Sequence, residues 1–452
     1  MKMAAVHPRI YGEIGRLQAC VVCAPGPEHD AMAPEHITPL RLGPYGWETN
    51  PDYLLFDDLV LLPQLQAEHA VLRQLVAAFT GERNCLDLRD LLSHVLAQPS
   101  ARQAVLDEVL ELEGQLGLAG PRLQHLRLRC ADLPAAELAQ VLFSGLDPDT
   151  NEALVTYPAP NLLFVRDLWA VVGQTLVLGY PRARARKRDG IVARAIVRHH
   201  HRLAGAQLCA IRGPREGISA VELDDQRCIE GGDVLVLAAD LVLIGVGQRT
   251  TVVAATLLAH QLAREGVRHV LGVLLPVGRA TMHLDTVLTM IDHHTLLAFP
   301  PALAQGKGQL DAVAVVDLLA DACPIDAPLL KVLADRGLPV QVIACGDGDP
   351  RAAVREQWSD GANAFCLAPG ALVLYGRNTA TLRALNRAGF AVLPPATVID
   401  NAEKLAASGD KFVVTLPGSE LSRGRGGPRC LTLPLVRESA SAPGFDSATT
   451  AA

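Results

Sequence analysis

Apolar residues along this chain gather in runs of about five, separated by Gly, an Ala-Asp pair or an Asp-His pair, which is the pattern of buried strands joined by tight turns. The longest example, "CIEGGDVLVLAADLVLIGVGQRTTVVAATLLAHQLAREGVRHVLGV", reads as strand, turn, strand, helix, strand. Its segment "TTVVAATLLAHQLAREG" changes to helical spacing and closes on a helix-ending Gly. "AFCLAPGALVLYGRNTATLRALNRAGFAVLPP" repeats the order, and "RDLWAVVGQTLVLGYP" and "HLDTVLTMIDHHTLLAFP" each supply a further strand pair. One supersecondary unit repeated this often implies an α/β protein of cyclic or stacked architecture.

Residues 76–148 break the pattern. "LDLRDLLSHVLAQPSARQAVLDEVLELEGQLGLAG" and "LPAAELAQVLFSGL" are rich in Leu and Ala, lack β-branched runs and carry three-to-four spacing, which predicts an inserted helical subdomain. The α/β unit is therefore expected over 1–75 and 149–437. The small, polar, aperiodic "ESASAPGFDSATTAA", residues 438–452, is expected to be disordered.

Composition narrows the setting. No apolar run approaches the roughly 18 residues needed to span a bilayer, and "MKMAAVHPRIYGEIGRL" lacks the apolar centre of a signal peptide, so a soluble cytoplasmic protein is expected. The ten cysteines are scattered from Cys20 to Cys430, unlike a secreted disulfide framework. Cys20 and Cys23 form a C-x-x-C, but in the strand "LQACVVC" positions three apart point to opposite faces, which argues against a zinc or redox pair. A net charge of -7 gives no reason to expect nucleic acid as a general partner. The local run "PRARARKRDG" is the exception to that acidity.

Each repeat carries polar residues at a strand edge or turn: Asp167 in "NLLFVRDL", Glu230 and Asp233 in "IEGGD", His283 and Asp285 in "MHLDT", and Cys430 in "LSRGRGGPRC". Any one carboxylate near a turn is more often a backbone cap than a reactive group, so the set carries the argument. His283 and Asp285 lie two apart, which on a strand would aim both at one site. A cysteine, a histidine and several carboxylates suit nucleophilic attack on a cationic carbon. Ligand-spaced His/Cys pairs are missing, so no metal site is expected.

In that order, "PNLLFVRDL", "EGGDVLV" with "IGVGQRTT", "MHLDTVLTMID" and "GRGRGGPRCLTLPL" resemble the motifs of the arginine deiminase family, among guanidine-modifying enzymes. "GEIGRLQACVVCAPGPE" and "LLFDDLVLLPQLQAEHAVLRQLV" are similar to that family too, so the resemblance covers nearly the whole chain. It implies a pseudo-fivefold α/β propeller, a barrel of ββαβ modules with a helical insertion. It implies hydrolysis of free L-arginine to L-citrulline and ammonia, without metal or cofactor, and leaves a homo-oligomer open. Cys430 would be the nucleophile, Asp167 and Asp285 the acceptors for the guanidinium, and His283, oriented by Glu230, the acid and then the base. A cation beside Cys430, the substrate included, would favour its thiolate.

Asn161, Arg186, Asp233, Arg249 and Arg425 complete the implied substrate set; Arg186 is chosen within 182–188, a run whose register the sequence leaves open. Gly424, Gly426 and Gly427 would let the Arg425 loop swing over the site. The chain departs from several relatives at Val165 and at Arg429, which stands where a histidine often precedes the cysteine. Alternatives within the same chemistry are deimination of an agmatine-like compound and amidino transfer to an amine; the alternative outside it is a silent binding protein.

Overall fold

The computed structural model describes residues 5–210, 226–303 and 313–439. The expected tail lies outside these residues from position 440 onward. Among the described residues no helix is long and apolar enough to cross a membrane.

The predicted repeat is realised as a defined sheet topology. Trp169–Val172 and Thr175–Leu178 form an antiparallel pair, the helix Lys187–His199 follows, and Gln207–Cys209 returns parallel to the second strand. Val234–Ala238, Leu241–Val246, the helix Val252–Arg264 and His269–Leu274 repeat that order. Leu288–Asp292, Thr295–Ala298, the helix Leu329–Asp335 and Gln341–Ala344 repeat it again. Most strand positions are buried on both faces, which is why these segments read as continuous apolar runs rather than alternating ones. The helix Val252–Arg264 buries Ala254, Ala255, Leu258, Ala259 and Leu262 along one stripe. The Thr251 hydroxyl caps its start by accepting the Ala254 N–H at 3.2 Å, and Gly266, at φ 96°, follows its end.

The fourth repeat departs from the expectation. Phe365–Ala368 pairs with Ala371–Tyr375 and the helix Thr379–Arg387 follows, but the strand next to the hairpin is Phe412–Leu416, not Ala391–Leu393. Ala391–Leu393 is displaced to the sheet edge, parallel to Phe412–Leu416. Burial explains the order: "FVVTL" is almost wholly enclosed, whereas Ala391 and Val392 are exposed and tolerate an edge.

A fifth sheet joins the two ends of the chain. Leu433–Arg437 pairs antiparallel with Leu17–Val22, the helix Leu62–Thr80 follows, and Cys85–Asp87 lies parallel to Leu17–Val22. Cys20 and Cys23 pack into different apolar clusters, as opposite faces require. The boundary expected at 76 falls inside this helix. Four further helices, Leu88–Leu96, Pro99–Gln115, Pro121–Asp132 and Ala135–Ser144, come after the strand Cys85–Asp87.

The core comprises three apolar clusters. Val165 and Leu168 belong to one, Leu284 and Val287 to the second, and Phe164 and Cys430 to the third. The turns that carry the polar motifs are thus anchored in all three.

Candidate active site

The polar residues singled out in the sequence occupy equivalent places in the fold. Asp167 ends the 3-10 turn Val165–Asp167 before its hairpin, Glu230 precedes and Asp233 ends Gly231–Asp233, and His283 precedes Leu284–Thr286, which contains Asp285. Cys430 lies in the turn before Leu433–Arg437. His283 and Asp285 are therefore not on a strand, as the alternation argument supposed; His283 is extended at φ -135° and Asp285 lies inside the turn. The turn, not the pleat, brings both toward one place. The second glycine of "IEGGD" is needed for the approach, because a Cβ on Gly232 would lie 2.9 Å from the His283 ring.

His283 Nε2 is 2.7 Å from Glu230 Oε2, and His283 Nδ1 is 3.8 Å from Asp167 Oδ1. The Cys430 thiol donates to Asp285 Oδ2 at 3.7 Å. Arg186 donates through Nη1 to Asp167 Oδ2 at 2.7 Å and through Nε to Asp189 Oδ2 at 2.9 Å. Arg249 Nη1 donates to Glu230 Oε2 at 3.4 Å, and the Asn161 amide donates to the Leu54 carbonyl at 2.5 Å. Asp167 Oδ1, Glu230 Oε1 and Asp285 Oδ1 are buried with no hydrogen-bond partner. A buried polar atom left this way costs about 1–3 kcal/mol, so three of them make a site that gains by receiving donors.

Charge and burial act against each other here. Burial opposes a charged imidazole at His283, but Asp167 and the hydrogen bond to Glu230 raise its pKa to about 9. Burial would raise Glu230, yet Arg249, Arg186 and His283 hold it below the usual carboxylate range. The Cys430 thiol is pushed well up by burial and by the surrounding charges of Asp285, Asp360 and Asp167. The carboxylates around this cysteine thus outweigh the cations that border the cavity, and a further cation bound against them would draw the thiol back down.

Asn161, Arg186, Arg249 and Arg425 border the same cavity as Asp167, His283 and Cys430. Its volume is about 10 Å³, enough for about one water molecule. Arg279 also borders it, donating to Asp57 Oδ1 at 2.8 Å and to the carbonyl of Leu55, a residue held at φ 66°. Asp233 stands behind the cavity: it accepts from the Thr250 hydroxyl at 2.5 Å and from the Leu284 N–H at 2.9 Å, and burial raises its carboxyl to about 7. Asp167, Glu230 and His283 place one ligand atom each within 4.8 Å of one another, a grouping that sequence spacing did not reveal.

The loop before Cys430 is built differently from the expectation. Its left-handed residue is Arg425, at φ 66°, whose guanidinium stacks 3.9 Å from the Trp358 ring and donates to the Trp358 carbonyl at 2.7 Å. The glycines serve close packing: a Cβ on Gly426 would fall 2.4 Å from the Phe164 ring. Arg429 is buried and bridges two acids, donating through Nη1 to Asp285 Oδ2 at 2.7 Å and through Nε and Nη2 to both oxygens of Glu13 at 3.2 and 3.1 Å. Burial would raise Glu13, but Arg429 and Arg166 bring it down to about 2. Glu13, Asp189, Arg279, Asp360 and Asn363 took no part in the reading from sequence. Glu13 lies within a motif that was recognised, yet nothing local shows that it will meet Arg429.

An amidinotransferase from Microseira wollei in the saxitoxin biosynthetic pathway shares the fold, with a TM-score of 0.52 over 97% of this chain and 99% of that one at 13% identity. Residues 52–437 match the model of the arginine deiminase family. An arginine deiminase of Mycobacterium avium (strain 104) is 34% identical over 456 residues, covering 96% of this chain and 100% of that protein. One from Clostridium perfringens (strain SM101 / Type A) is 30% identical, covering 95% and 98%. The chain belongs to the arginine deiminase family.

Proposed function

We propose that this protein hydrolyses the guanidino group of free L-arginine to L-citrulline and ammonia through a covalent adduct on Cys430. The observation that carries the reading is that Asp167, His283 and Cys430 border one cavity, with the Cys430 thiol 3.7 Å from Asp285 Oδ2, while Asp167 and Asp285 each keep one buried oxygen without a partner. A guanidinium is planar, always charged and a poor electrophile, and fork-like donation to two carboxylates both holds it and offsets its charge.

Binding of the cation between Asp167 and Asp285 draws the Cys430 pKa down, and the thiol loses its proton to solvent. The thiolate adds to the guanidinium carbon. His283, charged at neutral pH, gives its proton to one terminal nitrogen, which leaves as ammonia, and an amidino-thioether remains. The now neutral His283 takes a proton from water as that water adds to the same carbon, and collapse of the adduct breaks the C–S bond, with the adduct's hydroxyl proton passing to the departing Cys430 sulfur, to give citrulline and the free thiol. Glu230 orients the ring throughout.

For the far end of the substrate, Arg249, Asn161 and the unpartnered Nη2 of Arg186 are the groups proposed to meet the α-carboxylate. The same reading takes the five sheets to close as a pseudo-fivefold propeller, with the helices of 88–144 inserted after the fifth sheet's last strand. Ten free thiols, nine of them buried, support a reducing cytoplasm as its compartment. Incubating the purified protein with arginine, agmatine, or arginine plus an amine acceptor, and measuring citrulline, ammonia and amidino transfer, tests the assignment. Citrulline and ammonia from arginine alone are expected; product only with agmatine or only with the acceptor overturns it.

A further inference from the structure

Turns already assigned a role precede four of the five repeats: Asp167 before Trp169–Val172, Glu230 and Asp233 before Val234–Ala238, His283 and Asp285 before Leu288–Asp292, and Cys430 before Leu433–Arg437. The turn before Phe365–Ala368 holds Asp360 and Asn363 at the equivalent place, and both are fully buried. Asn363 does not border the cavity. Its amide instead joins the two sides of the site. Oδ1 accepts the N–H of Arg429 at 3.1 Å and of Cys430 at 3.2 Å, while Nδ2 donates to the Asp285 carbonyl at 2.9 Å. The opposite amide orientation would set an NH₂ group against two N–H donors, so this one is dictated by the network.

Gly427 makes the reach available, because a Cβ there would lie 2.6 Å from Asn363 Oδ1. The nucleophile loop is held at a second point by the Tyr375 hydroxyl, which donates to the Gly426 carbonyl at 2.7 Å. That contact reaches only the loop, however, whereas Asn363 ties the loop to the backbone of Asp285.

We propose that Asn363 is the fourth repeat's contribution to the reaction: a positioning residue whose rigid amide sets the separation between the Cys430 nucleophile and the guanidinium acceptor Asp285. This rests on the arginine-hydrolysing reading above and adds a residue to it. Asn363 touches backbone on both sides and no reacting atom, so its loss displaces thiol from carbon without removing a substrate contact. A displacement of about 1 Å at a reacting pair costs on the order of 100-fold.

The test is steady-state kinetics of Asn363→Ala with arginine, beside the rate of Cys430 carbamidomethylation by iodoacetamide across pH, read by peptide mass spectrometry. The expected result is a kcat lower by about 100-fold with KM changed by less than about threefold, together with an altered alkylation profile of Cys430. Asn363→Asp keeps the acceptor for the two N–H groups but opposes an oxygen to the Asp285 carbonyl, and it is expected to fall between Ala and wild type at low pH. If the Ala variant does not fold, wild-type kcat in the Asp variant overturns the proposal. So does a folded Ala variant with unchanged kcat and unchanged alkylation, or one in which only KM rises. If wild-type protein releases no citrulline, the arginine reading fails, and the alkylation arm still decides: an unchanged Cys430 profile in Asn363→Ala overturns the positioning role, and a changed one supports it.

Discussion

The turns that open the third and fourth repeats have the same place in the repeated unit and opposite relations to the cavity. His283, from the third, borders it, and Asp285 accepts the Cys430 thiol on Oδ2 while its Oδ1 is left without a partner. Asn363, from the fourth, spends its amide on the backbone of Arg429, Cys430 and Asp285, while Asp360 beside it is buried with neither carboxylate oxygen paired. Topological equivalence therefore assigns a residue to the site without deciding whether it meets substrate or holds those that do. The cysteine loop decides it: Gly427 brings that backbone within reach of the fourth turn.

The strongest way to break the comparison is at Cys430, the proposed nucleophile beside both turns. Cys430→Ser is expected to lower kcat by at least about 10⁴-fold, read as citrulline release, because the weaker nucleophile lacks an activating base. Asp285→Asn comes next, with a loss of about 10³-fold in kcat/KM for arginine, since one of the two proposed guanidinium acceptors is neutralised. It also leaves Arg429 buried with only Glu13 as carboxylate partner, so a lower Tm is expected alongside.

His283 sets the pH dependence of the third turn. Its folded pKa of about 9 is raised above the usual value of about 6.5, so its stabilising contribution is complete below about pH 6.5 and is lost as pH rises through about 9. Activity is expected to fall over the same alkaline limb, because the leaving nitrogen needs the protonated ring. Thermal melts and pH–rate profiles of wild type and His283→Ala check both, and a variant with the wild-type alkaline limb of stability would refute the assignment.

Asp360 gives the fourth turn the same form of dependence in an acid window. Burial raises its carboxyl to about 7 even with Arg425 opposing, so stability is lost as pH rises from about 4 to about 7. Asp360→Asn should therefore raise Tm at pH 8 and leave it unchanged at pH 4, the reverse of the effect at Asp285. Smallest of all should be the response to excess chelator. Asp167, Glu230 and His283 stand close enough to hold a cation, but the proposed chemistry routes no step through one, and kcat is expected to stay constant.

Local pattern made much of this legible. Continuous apolar runs located the strand pairs, because strands buried on both faces exclude polar residues. The helix closing at Gly266 followed from its spacing, and the polar residues stood out because the surrounding segments are otherwise apolar. The pairing of Phe412–Leu416 beside Ala371–Tyr375, which displaces Ala391–Leu393 to the edge, was not legible. Neither was the strand alternation assumed for His283 and Asp285, which a 3-10 turn replaces.

Composition, periodicity and motif order were enough to define the repeated unit and to name Asp167, Glu230, His283, Asp285 and Cys430 as a set, since side-chain chemistry and local spacing are properties of the chain alone. What surrounds each of them was decided only on folding. Glu13 meets Arg429 across 416 positions, Asn363 meets Cys430 across 67, and the sheet that includes Cys85–Asp87 pairs strands from opposite ends of the chain. Contacts at such separation depend on which backbones approach, and the protonation of His283, Asp360 and Cys430 depends on the burial and charges those contacts create.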